Sequence, residues 1–307
     1  MAGHLRQRPR AVRIAASTRS RRYLDTAAPE PLFVLSAIAQ YTGATIAVLL
    51  FDEVAPRTVA WLRVAGAAVV LILISPGALG RWTRPQLTAA AVFGIATALM
   101  NTFFFLGLAR TDLGKSVAIE FIGPIAVAAA MTRTGRNGVA LVFAAVGVVV
   151  LGGVEVGDNT VGLLWILAAS AMWAVYIVIG ARVAQIGRGV AGLGIGLAIG
   201  ALVITPIGAP GSGEVFTTPR LLAGCLLVGV FSNAIGYGID QHVLRRIPVR
   251  RFSVLLALLP VTAVVFGWLG LDQVPSGVEF AGIALVLAGV ILQERDELPT
   301  PAEADAP

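Results

Sequence analysis

Ten apolar runs of bilayer-crossing or near-crossing length divide this sequence between residues 32 and 292. A membrane span needs roughly 17–25 predominantly apolar residues, whereas runs of about 10–14 usually belong to buried core helices. The runs fall at about 32–50, 57–74, 87–108, 114–131, 138–153, 161–181, 190–207, 221–242, 252–270 and 276–292. Most prolines and charges stand between them, in ISPGALGRWTRPQ, TRTGRNG, EVGDN, GAPGSGEVFTTPR and RRIPVRR, which read as turns. The fourth and fifth runs are the least distinct, because only TRTGRNG parts them and the fifth is short. Charged residues are 13% of the chain, against about one quarter in soluble domains. The pattern predicts an all-α polytopic membrane protein of about ten transmembrane helices.

The basic residues alternate from loop to loop. Arg6, Arg8, Arg10, Arg13, Arg19, Arg21 and Arg22 crowd the N-terminal tail, and every second loop is basic: Arg81 and Arg84, Arg133 and Arg136, Arg182 and Arg188, then Arg245, Arg246, Arg250 and Arg251, with Arg295 at the end. The opposite loops hold only Arg57, Arg110, Lys115 and Arg220 beside several acids. Positively charged loops stay inside, so both termini are expected on the cytoplasmic side. The net charge of +6 belongs to this asymmetry, and no folded basic domain exists for a nucleic acid. Residues 1–31 read as a basic membrane-apposed tail without the apolar core of a cleavable signal, and 293–307 as an acidic disordered tail.

Between the tails the sequence repeats itself. Asn101–Pro124 lies over Tyr237–Pro260 without a gap, setting Leu108 on Leu244, Arg110 on Arg246, Lys115 on Arg251 and Pro124 on Pro260. The third span thus falls on the eighth and the fourth on the ninth. Five is an odd offset, so the second half enters the membrane from the opposite side. The expectation is two inverted five-helix repeats, 32–153 and 161–292, an arrangement that in secondary transporters places a site near the midplane between repeats that exchange conformations.

An ionisable group near mid-bilayer costs about 2.5–3.5 kcal/mol on insertion scales, so it marks a pathway. Arg63, Glu120 and Asp240 stand clear of the helix ends, with Gln40, Tyr41, Asn101, Trp173, Tyr176, Asn233 and Tyr237 as polar and aromatic company. At about 1.5 Å per residue, Arg63, Glu120 and Asn101 reach similar depths and are expected in one outward-facing cavity. Asp240, nearer the cytoplasmic end of its span, is expected to serve an inner vestibule or to bind Arg245 or Arg246. Ser116, Glu120 and Pro124 share a helix face. Pro124 deprives the carbonyl of Glu120 of its helical partner and kinks the helix there; Pro260 does the same to Leu256. Two readings of this face stay open: Glu120 receives a substrate ammonium or a coupling proton while Arg63 takes a carboxylate bidentately, or the two merely neutralise each other.

Other chemistry finds little support. Cys225 is the only cysteine and reads as a packing residue, His4 and His242 form no cluster, and no glycine-rich phosphate motif is present. No cofactor or metal is expected. A membrane-embedded enzyme would need paired acids, a metal cluster or an activated nucleophile, and a sensor would ordinarily carry a sizeable extramembrane domain. The glycines of GLGIGLAIG, Gly192 to Gly200, are expected to let helices approach closely.

SVAIEFIGPIAVA, AMWAVYIVIGARVA and the segment from Gly236 through LRRIPVRRF resemble the drug/metabolite transporter superfamily, EamA type, and within it the bacterial inner-membrane threonine/homoserine exporter family. The resemblance covers most of 32–292, with EFIGP its most specific piece. It implies that Arg63, Glu120, Pro124, Trp173 and Tyr176 occupy family-type positions and that Asp240 stands where the family tends to have Glu. The sequence departs in having Leu259 before Pro260, where the family often has Glu, and GLDQ after the ninth span, where Gly-Glu is common. The implied function is export of small amino acids, or of drugs and other amphiphilic metabolites, with protons as the coupling ion, lipid as surroundings and a homodimer as one possible assembly.

Overall fold

The computed structural model describes residues 27–75, 78–132, 134–152, 160–185, 189–256 and 258–292. The basic tail up to residue 26, Arg133, the EVGDN loop, Arg188 and the acidic tail lie outside the described residues. All ten apolar runs are helical. The first three are α1 (Pro29–Leu50), α2 (Pro56–Ile74) and α3 (Arg84–Leu108). Each begins with a proline in its first turn, where the missing N–H costs nothing. α3 adds a capping box in which Thr83 and Gln86 exchange side chain and backbone bonds.

The fourth run is split into α4 (Leu113–Glu120) and α5 (Ile122–Met131). α6 (Gly135–Gly152), α7 (Thr160–Gln185), α8 (Gly189–Gly208) and the short α9 (Gly213–Thr217) follow. The eighth run has three parts: α10 (Pro219–Val228), an eight-residue π-helical segment (Gly229–Gly236) and α11 (Tyr237–Leu244). The ninth is α12 (Val249–Leu255) and α13 (Leu258–Leu271), and the tenth α14 (Gly277–Leu292). Six of the runs are long and apolar enough to cross a membrane by themselves, and four are shorter apolar helices. Large apolar side chains such as Leu73, Leu269 and Ile291 are more than 70% exposed, which suits a surface solvated by lipid rather than water.

Close helix contacts depend on glycine, as expected for GLGIGLAIG. A Cβ on Gly94 of α3 would lie 1.8 Å from the carbonyl oxygen of Gly196 on α8, and one on Gly200 would lie 2.3 Å from the carbonyl of Gly94. Backbone thus meets backbone along this crossing, with no side chain able to give way. Gly94→Leu is expected to force α3 and α8 apart. Overpacking of this kind costs about 1–3 kcal/mol or more, so the thermal midpoint in detergent should fall by roughly 5–10 °C or the variant should fail to fold; an unchanged midpoint would show that the crossing yields.

The fourth and ninth spans are both interrupted just before their prolines, Pro124 and Pro260. In the fourth, Pro124 has no N–H to give the carbonyl of Glu120, and the N–H of Gly123 is diverted to Ser170 Oγ on α7 at 2.8 Å. Two consecutive helical donors are therefore missing at one turn, although Ile125 N–H still reaches Phe121 O at 3.1 Å. In the ninth, the carbonyl of Leu256 is not left free as the position of Pro260 suggests: Leu259 N–H donates to it at 2.8 Å. A tightened turn absorbs the break in that span.

Candidate functional site

α1, α2, α3, α4, α7, α11 and α13 enclose a cavity of about 50 Å³. By the measure in which one water takes roughly 10–15 Å³, that is room for a few waters or the polar part of one small solute. Gln40 and Tyr41 enter from α1, Arg63 from α2, Asn101 and Phe104 from α3, Glu120 from α4, Trp173 from α7, Tyr237 and Asp240 from α11, and Leu259 from α13. Eight of the residues singled out in the sequence thus meet on one wall. Pro124 is buried one turn from Glu120 and acts on the site through the helix break. Tyr176 stands a layer behind, packed between Phe93 (centroids 4.9 Å apart) and Tyr237 (5.5 Å). Asn233 is also behind the wall, and it holds Arg63.

Arg63 is only 5% exposed. Its Nε donates to Asn233 Oδ1 at 2.8 Å, and its Cζ lies 4.6 Å from the ring centre of Phe105. Planar stacking and a single side-on bond fix the guanidinium while leaving its terminal nitrogens for other partners. The π-helical segment makes this possible. A Cβ on Gly229 would come within 2.3 Å of the carbonyl oxygen of Arg63, so only glycine lets the segment lie against α2 and present Asn233 one turn further on. Such π segments are rare and often occur at functional sites.

Glu120 ends α4 at the break and is 7% exposed. Among the described residues neither Arg63 nor Glu120 has an ion-pair partner, and they do not bond each other. Both line the same cavity. Opposite charges held apart inside a low-dielectric wall are costly, and a bipolar guest entering between them relieves that cost.

Asp240 requires a correction. Depth counted along a regular helix sends it toward an inner vestibule or to Arg245 or Arg246, but it lines the same cavity as Arg63 and Glu120. Its Oδ1 receives Ser36 Oγ at 2.7 Å and its Oδ2 receives Gln40 Nε2 at 3.4 Å, both from α1. Arg246 instead donates to the carbonyl of Ala27 at 2.7 Å. Gly123, beside the break, serves the contact with α7: a Cβ there would lie 2.2 Å from Ser170 O. Trp173 lies inside the bundle as expected, its ring edge-on to Phe121 at 5.5 Å.

Ser36, Phe105 and Ser170 support the site and were not legible as candidates. A serine in an apolar helix usually bonds its own preceding turn, and a phenylalanine among four apolar neighbours carries no mark of the cation above it.

The family model described as EamA-like transporter family matches residues 160–293. The threonine/homoserine exporter RhtA of Salmonella typhimurium (strain SL1344) is 30% identical over 273 residues, covering 88% of this chain and 92% of that protein. Its Escherichia coli (strain K12) namesake is 31% identical over 252 residues, covering 80% and 84%. A solved structure titled "Crystal structure of protein" superimposes with a TM-score of 0.66 at 19% identity, over 86% of this chain and 95% of that one, and shares the fold.

Proposed function

The chain belongs to the EamA-like transporter family and is a multi-pass membrane metabolite exporter; from that premise we propose that it exports small amino acids of the threonine and homoserine kind. The observation that supports this reading is the unpaired guanidinium and carboxylate facing each other across a cavity of about 50 Å³. A small zwitterion has the matching charges: its carboxylate takes the free nitrogens of Arg63 bidentately, and its ammonium lies toward Glu120. The relatives are named for threonine and homoserine export, and Asn101, Trp173 and Tyr237 provide a polar and aromatic wall for a short side chain.

Transport proceeds by alternating access between the two inverted halves, 32–153 and 161–292, with the breaks before Pro124 and Pro260 as hinges and proton entry driving export. The arginine-rich loops keep both termini in the cytoplasm. An exporter of other amphiphilic metabolites on the same scaffold is the second reading, favoured by the departure at Leu259, which presents an apolar side chain to the cavity. Counterflow decides between them. Proteoliposomes preloaded with unlabelled threonine, homoserine or serine are expected to accumulate labelled threonine transiently. If no amino acid supports counterflow in folded protein, the amino-acid reading fails and the wider one takes its place.

A further inference from the structure

Two carboxylates and one guanidinium line the cavity, so its fixed charges do not balance. In an enclosed site an uncompensated charge is expensive, and the group takes up a proton or a counter-charge instead. Arg63 can balance only one of the two, which leaves a surplus acid, and Asp240 is the carboxyl that already holds hydrogen-bond partners from another span. We infer that Asp240 is the proton-exchanging carboxyl of the transport cycle and that Ser36 is the hydroxyl that adapts to each of its protonation states. The inference rests on the exporter reading and extends it from the substrate to the coupling ion.

The geometry around Ser36 carries the argument. Its Oγ lies 2.7 Å from Asp240 Oδ1 and 3.0 Å from the carbonyl oxygen of Gly236, at the end of the π-helical segment, and it accepts from Gln40 Nε2 at 3.0 Å. A hydroxyl has one proton and two lone pairs, so Ser36 donates to only one of the two oxygens at a time. When Asp240 is ionised, the Ser36 proton points to Oδ1 and Gln40 supports Oδ2. When Asp240 carries a proton on Oδ1, that proton is donated to the second lone pair of Ser36, and the hydroxyl turns to Gly236. Both states are satisfied by rotating one O–H bond, with no heavy atom displaced. Glu120 has no comparable shell: among the described residues no hydrogen bond to its carboxylate is formed.

Few other titratable or charged groups surround Asp240. α1 contributes Tyr41 and, near its start, Glu30, which is bonded by Arg251 of α12 at 2.7 Å. α7 contributes Tyr176, and α11 itself Tyr237 and His242. The π-helical segment and α8 contribute none, and Arg63 and Glu120 lie across the cavity.

Infrared difference spectra of the purified full chain in nanodiscs, recorded from about pH 5 to about pH 9 without substrate, follow carboxyl protonation directly. One carboxylic C=O band is expected to be missing in Asp240→Asn and to return in Asp240→Glu. The asparagine amide can donate to Ser36 as the protonated acid does, so this variant should fold. In Ser36→Ala the same band is expected to titrate about one pH unit higher, because the ionised form loses its charge-assisted donor. In proteoliposomes, Asp240→Asn should also lose at least tenfold of the stimulation that an imposed pH gradient gives to threonine efflux. Asp240→Asn spectra that keep every carboxyl band of the parent overturn the assignment, as does an unshifted titration in Ser36→Ala. Failure of the parent to exchange any amino acid overturns the substrate reading instead, while the spectra still decide the proton site.

Discussion

Arg63→Ala is expected to lower threonine counterflow by about two orders of magnitude or more while leaving a protein that can still be purified. Truncating one member of a buried, hydrogen-bonded charge arrangement costs about 2–5 kcal/mol, and about 1.4 kcal/mol is a tenfold change in affinity. The loss has two parts. The substrate carboxylate no longer finds the fork of donors, and Asn233 Oδ1, which takes Arg63 Nε at 2.8 Å, is stranded in the wall. Arg63→Lys separates them. Lysine keeps the charge but has neither the planar face that lies over Phe105 nor a second parallel donor. It should therefore recover less than about a tenth of the parent activity. If Arg63→Lys matches the parent in both KM and maximal rate, Arg63 serves only as a point charge and the bidentate reading is wrong. A purely structural arginine would instead be exposed by Arg63→Ala that transports normally once its fraction of folded protein is allowed for.

The separation between what could be read in the sequence and what needed coordinates follows the physics of each feature. Spans are written in residue types at a length set by the bilayer, so all ten runs became helices within a few residues of their expected bounds. Pro124 declared its break because a missing N–H is a local property. Asp240 was misjudged because its nearness to the cytoplasmic end of the eighth span was taken to keep it from the level of Arg63 and Glu120, whereas the cavity reaches down to it through a regular last helical stretch. The π-helical segment Gly229–Gly236 changes both rise and facing along that span, and no period in GVFSNAIG announces it. The partners of Asp240 are also remote in sequence: Ser36 and Gln40 lie about two hundred positions away, and Ser36 does not differ in type from polar residues that face nothing. Gly229 shows the same limit. A glycine in an apolar run signals close packing, but that the neighbour is the backbone of Arg63 is a fact of topology.

Exchanging the two charges, Arg63→Glu with Glu120→Arg, is expected to leave counterflow about a hundredfold or more below the parent, although the net charge of the cavity is unchanged. If the residues were only a structural ion pair, the exchange would restore activity, since a pair within bonding distance is indifferent to which end carries which sign. Among the described residues they form no ion pair, and Arg63 is oriented by Asn233 and Phe105. A glutamate at position 63 would meet the negative face of the Phe105 ring, which suits a cation, and would need the Asn233 amide to turn over to donate to it. An arginine at position 120 would rise from the turn broken before Pro124, where no stacked ring or amide is placed to fix its fork. The guest would then be offered both charges at the wrong ends and without preorganisation, and affinity falls with lost preorganisation even when the contacts are nominally available. Each single reversal should be worse for folding than the double, because it leaves two like charges facing each other. The informative result is therefore a double variant that regains the thermal midpoint of the parent without regaining its transport. Recovery of both would reduce Arg63 and Glu120 to a structural pair and move the substrate's charged ends elsewhere on the wall.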